Sequence, residues 1–124
     1  MKNPIYTEIV DTIVISAPKE ISLDDLRALL SRHWTLQKTR PDRIAIEESN
    51  SRVYLYHPPL ESGEADLKRL FVDYSWQELV KKVVLVIGDN PEWRIDNEYG
   101  TELPGDQFVA WIRNRKTVLG ARWR

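Results

Sequence analysis

The sequence predicts an α+β fold, in which helices pack on one face of an antiparallel sheet of four to five strands. Its length of 124 residues is close to the commonest size of one domain, and no linker or repeat divides it, so we expect residues 1–124 to form a single domain. Segments with alternating β-branched residues are interspersed with segments of helical periodicity. Because the strand segments follow one another in hairpin-like order, they disfavour a doubly wound parallel sheet.

The N-terminal half predicts one strand, one helix and three further strands. Residues 6–16 are rich in β-branched side chains and predict the first strand, in which Asp11 lies on the apolar face and indicates a bulge or a strand end. Ser22 opens a capping-box pattern, and apolar residues at helical spacing predict a helix over residues 23–33. The three further strands are predicted over residues 34–39, 43–48 and 52–57. The last two flank a short polar loop and form a hairpin.

The C-terminal half predicts three helices and one short strand. Apolar residues recur at i, i+3, i+4 and i+7 over residues 64–74 and predict a helix. Ser75 begins a second capping-box pattern, and residues 76–87 fit helical periodicity. Residues 83–87 could instead form a strand, because four of the five are β-branched, but we favour the helix. The remaining elements are a short strand over residues 93–97 and a final helix introduced by residues 104–106.

The composition excludes several classes of protein. No cysteine is present, which excludes disulfides, thiolate metal sites and cysteine nucleophiles. The formal net charge of −1 argues against a dedicated nucleic-acid binder. The longest apolar run, residues 83–87, is far too short to cross a membrane, and the first residues contain no signal-peptide stretch. We therefore expect a protein of the cytoplasm that makes no membrane contact.

No catalytic motif is recognisable, and we expect neither a cofactor nor a metal ion. His33 lies at the end of the predicted first helix, where a cation interacts favourably with the helix dipole. His57 ends a strand and has no carboxylate near it in sequence. The two histidines lack the spacing of a zinc site, and the glycines form no phosphate-binding loop. A small enzyme or ligand-binding domain stays open as the alternative function, with His57, Asp11 and Glu47 lining a pocket between sheet and helices.

Charged residues are unevenly distributed in the last third of the chain. Between residues 87 and 106 there are six acidic residues against Arg94 alone, and from residue 112 to the end there are five basic residues and no acidic one. The acidic stretch favours a basic protein partner, because complementary charge speeds encounter and selects the partner. A further alternative places the basic tail, with Trp123, on nucleic acid through phosphate contacts and stacking.

Aromatic residues give the acidic stretch a second property of binding surfaces. Trp34, Trp76 and Trp111 lie on predicted apolar faces and are assigned to the core, whereas Trp93 lies among the acidic residues. Tyrosine and tryptophan are over-represented at interface hot spots because they bury a large area at low entropic cost. The candidate partner-binding residues are Glu92, Trp93, Asp96, Glu98, Tyr99, Glu102, Asp106, Tyr54 and Tyr56.

Part of the acidic stretch resembles a known class of proteins. Residues 96–108, Asp-Asn-Glu-Tyr-Gly-Thr-Glu-Leu-Pro-Gly-Asp-Gln-Phe, resemble stretches in small bacterial immunity proteins, which are encoded beside secreted or contact-delivered toxins. The resemblance covers about a tenth of the chain and carries over no residue roles. It implies a protein that neutralises a cognate toxin, often a nuclease, by covering its active site. The net charge of −1 departs from the strongly acidic character of many such nuclease inhibitors.

Overall fold

The computed structural model describes residue 9, residues 11–38 and residues 40–118 of the chain. Within these residues there are six strands and three helices. The strands are β1 (Asp11–Ser16), β2 (Arg43–Glu48), β3 (Ser51–Tyr56), β4 (Arg69–Tyr74), β5 (Arg94–Asp96) and β6 (Glu102–Pro104). The helices are α1 (Leu23–Leu30), α2 (Gln77–Ile87) and α3 (Gly105–Arg113).

The strands form one open sheet in the order β2-β3-β4-β1-β5-β6, and every pairing between them is antiparallel. The first strand of the chain lies inside the sheet, because β4 pairs with one of its edges and β5 with the other. The predicted α+β class and antiparallel sheet are confirmed. The described sheet has six strands, one more than the upper number predicted.

One face of the sheet forms the hydrophobic core together with the three helices. Alternate strand residues such as Ile13 and Ile15 are fully buried, and they belong to the same cluster as Leu30 of α1, Val83 of α2 and Phe108 of α3. Burying a side chain of this size contributes about 1.5–3 kcal/mol, so this layer is the main source of stability. None of the described helices is long and apolar enough to cross a membrane.

The opposite face of the sheet points away from this core. Because the three described helices all pack on the core side, we call it the helix-free face. Its residues occupy the strand positions that alternate with the buried ones. They include Thr12, Val14, Arg43, Glu47, Arg52, Tyr54, Tyr56, Phe71, Asp73, Asp96 and Glu102. Because directly opposed residues on neighbouring strands share a face, side chains far apart in sequence become neighbours here.

Strands β2 and β3 form the predicted hairpin around a two-residue turn. Ser49 and Asn50 have positive φ angles of 51° and 69°, the left-handed region that such tight hairpin turns require. Ile46 lies opposite Val53, and both side chains are fully buried. The predicted buried face of this hairpin is therefore confirmed.

The predicted helix over residues 64–74 is wrong, because β4 occupies its second half. Helical spacing depended on Leu67 and Phe71, but Leu67 is 40% exposed and Phe71 lies on the helix-free face. Leu70 and Tyr74 fit strand alternation as well as helical spacing, and both are buried. The strand forms because β3 and β1 pair with its two edges, which satisfies backbone groups in a way that local periodicity does not reveal.

The predicted strand over residues 34–39 is also wrong for the part of that segment that the structure describes. Gln37 makes a single bridge to the outer edge of β2, donating its N–H to the carbonyl of Ala45 at 2.9 Å. Trp34 is partly buried, and its Nε1–H donates to a carboxylate oxygen of Glu48 at 3.2 Å. One backbone hydrogen bond is too little to define a strand. The described part of residues 34–39 is therefore a loop that contacts the edge of β2 at one point.

Helix α2 confirms the helical interpretation of residues 83–87, but it begins differently from the prediction. Its N-cap residue is Trp76, which makes no side-chain cap hydrogen bond and is 52% exposed, so its assignment to the core is wrong. The Ser75 hydroxyl, predicted to cap the helix, instead accepts the backbone N–H of Arg52 at 2.8 Å. Ser75 thus continues the sheet beyond β4 rather than starting the helix, and Gly88 ends the helix as expected.

The remaining boundaries differ from the predictions by small amounts, as helix and strand ends commonly do. Strand β1 begins at Asp11 in the described residues, and residues 6–8 and 10 lie outside them, so the predicted strand end at Asp11 stays a prediction. Helix α1 ends at Leu30 rather than at residue 33. Strand β6 was not predicted, because three residues are too few to show an alternating pattern.

The capping role predicted for Ser22 is confirmed and can be tested. Its hydroxyl accepts the backbone N–H of Asp25 at 3.1 Å at the start of α1. We expect Ser22→Ala to lower the free energy of unfolding by about 1 kcal/mol, measured by urea denaturation, because one helix N–H loses its acceptor. Ser31→Ala removes a hydroxyl from the other end of the same helix. An equal loss in that variant would contradict capping as the cause.

Candidate interaction surface

One buried side chain, Asn97, holds the turn between β5 and β6. Its carboxamide oxygen accepts the backbone N–H of Tyr99 at 2.8 Å and that of Thr101 at 3.1 Å. Its amide nitrogen donates to the carbonyl of Val118 at 2.9 Å. Asn97 is fully buried, so both ends of the carboxamide are bonded away from water. The turn is therefore held firmly, and it exposes Glu98 and Tyr99 to solvent.

Three carboxylates come together beside this turn, and we call Asp11, Asp96 and Glu98 the acidic cluster. An oxygen of Asp96 accepts the backbone N–H of Glu98 at 2.7 Å, which holds the two residues next to each other. Loss of solvation, followed by the charges of Asp96 and Asp11, raises the pKa of Glu98 above its ordinary value, while Arg69 has the smallest and opposite effect. The raised pKa thus reflects first the loss of solvation and then the like charges that the fold holds close together.

The acidic cluster is not neutralised by ion pairs within the part of the chain that the structure describes. None of the ion pairs formed there includes Asp11, Asp96 or Glu98. Glu102 differs, because Nε of Arg94 lies 3.1 Å from its carboxylate oxygen. As far as the described residues go, the cluster therefore keeps negative charge that a binding partner could compensate.

Two tyrosines border the acidic cluster. The hydroxyl of Tyr99 donates to a carboxylate oxygen of Asp11, and the residue is 37% exposed. Tyr74 is only 2% exposed, and burial, followed by the charges of Asp11 and Tyr99, raises its pKa. The Tyr74 hydroxyl has no hydrogen-bond partner among the described residues. A buried polar atom left without a partner is uncommon in proteins, so it needs an explanation.

The structure separates the predicted acidic residues into two groups. Because β5 and β6 are antiparallel, Glu102 lies opposite Asp96 and therefore next to the acidic cluster. Glu92 precedes β5, and Asp106 lies in the first turn of α3, at the other end of these two strands. Both are exposed there. Glu92 and Asp106 are therefore not part of the same surface as the acidic cluster.

Trp93 lies with this second group, and its ring packs against the hydrophobic core. It is partly buried, and its backbone carbonyl accepts the N–H of Gly105 at 2.8 Å. These contacts connect β5 to the start of α3. Trp93 therefore serves the packing of the fold, and we leave it out of the interaction surface.

Tyr54 and Tyr56 lie on the helix-free face, where the register of the sheet connects them to the acidic residues. One row of directly opposed residues crosses all six strands: Arg43, Tyr56, Phe71, Val14, Asp96 and Glu102. Three of the predicted binding residues, Tyr56, Asp96 and Glu102, thus share one row. The structure brings them together although the sequence separates them widely.

The aromatic residues of this row are held in place by polar contacts. The Tyr56 hydroxyl donates to Asp73 at 2.9 Å, and its ring meets the ring of Phe71 edge-on, with 5.9 Å between centroids. Burial and the carboxylate of Asp73 raise the pKa of Tyr56 to about 12. The guanidinium of Arg43 lies 4.3 Å from the ring centroid of Tyr54. Because these rings are partly exposed but already ordered, contact with a partner would cost little side-chain entropy.

Sequence reasoning missed two residues of this surface. Phe71 is predicted to lie in a helix, but it lies on the helix-free face. Asp11 was considered only as a strand end or as a pocket residue. The one available sign was Asp11 itself, a carboxylate on the apolar side of a strand.

The residues considered for an enzyme pocket do not converge. The carboxylate of Glu47 pairs with Nε of Arg52 at 2.8 Å, near the turn of the hairpin. His57 follows the other end of β3, where its Nδ1 lies 2.7 Å from the carbonyl of Arg69. Asp11 belongs to the acidic cluster. Within the described ranges, no group of three or more histidine, aspartate or glutamate side chains is arranged to hold a metal ion.

The basic tail is described only in part. The guanidinium of Arg115 lies 4.5 Å from the ring centroid of Trp111 and donates to the carbonyl of the same residue at 2.5 Å. Arg122, Trp123 and Arg124 lie outside the described residues. The proposed contact of this tail with nucleic acid therefore stays a prediction.

No protein-family model, curated protein or solved structure matches this chain. Its function is therefore argued from the chemistry of the surface itself.

Proposed function

We propose that this chain is a non-enzymatic protein-binding domain that binds a basic protein with its helix-free face and the adjoining acidic cluster. The observation that carries the proposal is the set of carboxylates of Asp11, Asp96 and Glu98, which lack ion pairs within the described chain and adjoin the exposed Tyr99. Carboxylates of this kind raise the rate of encounter with a positively charged partner.

The row of directly opposed residues that contains Tyr56 and Phe71 supplies apolar contact area, which charge alone does not. Tyr56 and Phe71 lie beside each other at the centre of the helix-free face, and both are partly exposed. Ordered rings at the centre of an interface bury a large area at low entropic cost and slow dissociation. The surface thus combines an aromatic centre with an acidic end, which fits a partner with a basic patch beside an apolar one.

The resemblance of residues 96–108 to immunity proteins leads us to propose a bacterial toxin domain as the partner. This segment contributes Asp96 and Glu98 to the acidic cluster, and it contributes Glu102 to the row of opposed residues that contains Tyr56 and Phe71. Active sites of nucleases are basic because they bind phosphate groups. An acidic surface that covers such a site would exclude the substrate, and the cysteine-free composition is compatible with action in the cytoplasm.

Charge reversal tests the proposal. We expect Glu98→Lys combined with Glu102→Lys to weaken binding about tenfold or more, mainly through slower association, because the partner then meets positive charge. The partner is first captured from cell extract by the immobilised wild-type chain, identified and purified. Biolayer interferometry then measures its association and dissociation rates with each variant. Raising the salt concentration from about 50 to about 500 mM should weaken wild-type binding and leave the variant less affected.

A matched control changes charge equally at a different place. Glu61 and Glu64 are exposed in the loop between β3 and β4, so Glu61→Lys with Glu64→Lys gives the same change in net charge. We expect this control to bind within about twofold of the wild type. If both double variants bind alike, or if neither loses affinity, the proposed surface is wrong.

A further inference from the structure

Charge on the helix-free face differs between the two ends of the sheet. At the β2 end lies a pocket of about 180 Å³, which is lined by three basic side chains and one acidic side chain: Lys38, Arg43, Arg52 and Glu47. At the β6 end, Asp96 and Glu102 outnumber Arg94. The face therefore has a basic end and an acidic end, with the whole width of the sheet between them.

The centre of the same face is apolar and partly exposed. Phe71 of β4 and Val14 of β1 lie opposite each other on the two middle strands of the sheet, and Tyr56 lies beside Phe71. The ring contact between Tyr56 and Phe71 already orders both side chains. The described helices all pack on the other side of the sheet. An apolar sheet face is normally covered by a second layer, which the described part of the chain does not supply.

We infer that the helix-free face packs against the same face of a second copy of the chain, in a dimer with twofold symmetry. The axis runs along the strands and passes between β4 and β1, the middle of the strand order. It places β2 over β6 of the other copy, β3 over β5 and β4 over β1. Two sheets packed in nearly the same strand direction, about 10 Å apart, are a common arrangement.

The charges of the two copies are complementary in this arrangement. In the row of directly opposed residues that crosses all six strands, Arg43 then faces Glu102 of the other copy, and Tyr56 faces Asp96. The Glu102 side chain is 53% exposed although it pairs with Arg94, so the ion pair within the chain is weak and leaves room for a second cation. Because of the symmetry, each of these contacts occurs twice.

The same row also decides between two possible orientations. With the axis along the strands, Phe71 faces Val14 of the other copy, so the apolar centres cover each other. With the axis across the strands, Arg43 would face Arg43 and Glu102 would face Glu102. Like charges opposite each other are unfavourable, so the second orientation is disfavoured.

The size of the face sets the strength of the dimer. Six strands about 4.8 Å apart, each up to about 20 Å long, give roughly 500 Å² per copy. The total of about 1,000 Å² is at the lower limit for a specific interface, so we expect a dissociation constant on the order of 10–100 µM. The inference goes beyond the proposed function and does not depend on it. Where both hold, the basic partner has to displace the second copy.

Complementary charge reversal tests the dimer. In sedimentation equilibrium from about 5 to about 500 µM, the mean mass of the wild type should rise from that of one chain toward two. Arg43→Glu and Glu102→Arg each place like charges opposite each other, and each should weaken association about tenfold or more. An equimolar mixture of the two variants should associate again, because each new side chain meets an opposite charge on the other variant. A contact within one chain does not explain such recovery, since β2 and β6 lie at opposite edges of the sheet.

The control is Arg113→Glu, which makes the same change in charge at an exposed position in the last turn of α3. It should associate like the wild type. A wild type that stays monomeric at about 500 µM, or a mixture that associates no better than the single variants, would overturn the inference. So would an equal loss in Arg113→Glu. Urea midpoints near that of the wild type show that the variants are folded.

A measurement on the unchanged chain does not depend on any variant. Amide NMR shifts of the wild type should change with concentration in β1, β3 and β4, around Val14, Tyr56 and Phe71. Shifts that change only in the helices, or in no part of the chain, would contradict the dimer. Because these experiments contain no partner, their failure leaves the proposed function standing. Failure of the partner to bind leaves the dimer standing in turn.

Discussion

Replacing Asn97 with aspartate is expected to destabilise the domain by about 3 kcal/mol at neutral pH. The side chain is fully buried, and its amide nitrogen donates to the carbonyl of Val118 at 2.9 Å. An ionised aspartate presents an oxygen at that place, so two acceptors oppose each other and a charge is buried. The oxygen that accepts from Tyr99 and Thr101 is kept, and the variant therefore isolates the lost donor. Urea denaturation followed by tryptophan fluorescence measures the effect.

The destabilisation by Asn97→Asp should depend on pH in one direction. Burial raises the pKa of the introduced carboxyl above its unfolded value of about 4. A group whose pKa is raised by folding binds protons more tightly in the folded state. The free energy of unfolding of the variant should therefore fall, relative to the wild type, as the pH rises from about 4 through the folded pKa. Below about pH 4 the protonated carboxyl can donate to Val118, and the difference should be smallest there.

Asn90→Asp is the matched control for this variant. The side-chain oxygen of Asn90 accepts the backbone N–H of Glu92 at 2.9 Å, and the residue is partly exposed. Aspartate keeps this acceptor and its charge stays in contact with water, so we expect a change below about 0.5 kcal/mol. If Asn90→Asp destabilises the domain as much as Asn97→Asp, or if the effect at position 97 is independent of pH, the role assigned to the amide donor is wrong.

Gly105→Ala is expected to destabilise the domain by about 2–3 kcal/mol, because there is no room for a methyl group. A Cβ atom at this position would overlap the backbone carbonyl oxygens of Gly88 and Asn90, which cannot rotate away as a side chain can. The helix start cannot easily move aside either, since the Gly105 N–H donates to the carbonyl of Trp93 at 2.8 Å. The higher helix propensity of alanine, worth up to about 1 kcal/mol, only partly offsets the overlap.

An exposed position of the same helix provides the comparison for Gly105→Ala. Gln107 lies two residues further along α3 and is exposed, so Gln107→Ala should change the free energy of unfolding by less than about 0.5 kcal/mol. Both variants are measured by the urea midpoint and by thermal unfolding. A Gly105→Ala protein as stable as the wild type would mean that the segment at residues 88–90 is free to move away from α3. That result would contradict the close packing of these two segments.

The candidate surface could be predicted from the sequence only in outline. The acidic stretch and the tyrosines of the hairpin are visible as composition, and Asp96, Glu98 and Tyr99 do lie together near the turn that Asn97 holds. Glu92 and Asp106 belong to the same stretch, yet the antiparallel return of β6 carries them to the other end of the strands. Asp11 joins the cluster from the first strand, and its position on the apolar side of that strand does not reveal which residues it meets.

The fold shows the same division between local and non-local causes. Local patterns predict the capped helix α1, the hairpin of β2 and β3 and the excess of acidic charge, and they favour the helix over residues 83–87. Each of these features depends on residues close together in the chain.

Contacts between distant segments, in contrast, make residues 69–74 a strand, since these residues pair with β1 and β3 rather than follow their own helical spacing. Such contacts also bring together charged side chains that are far apart in sequence, as Asp11 and Glu98 are. The physical reason is that backbone pairing and burial are satisfied between distant segments, and their free energy outweighs the weak preferences of any one segment.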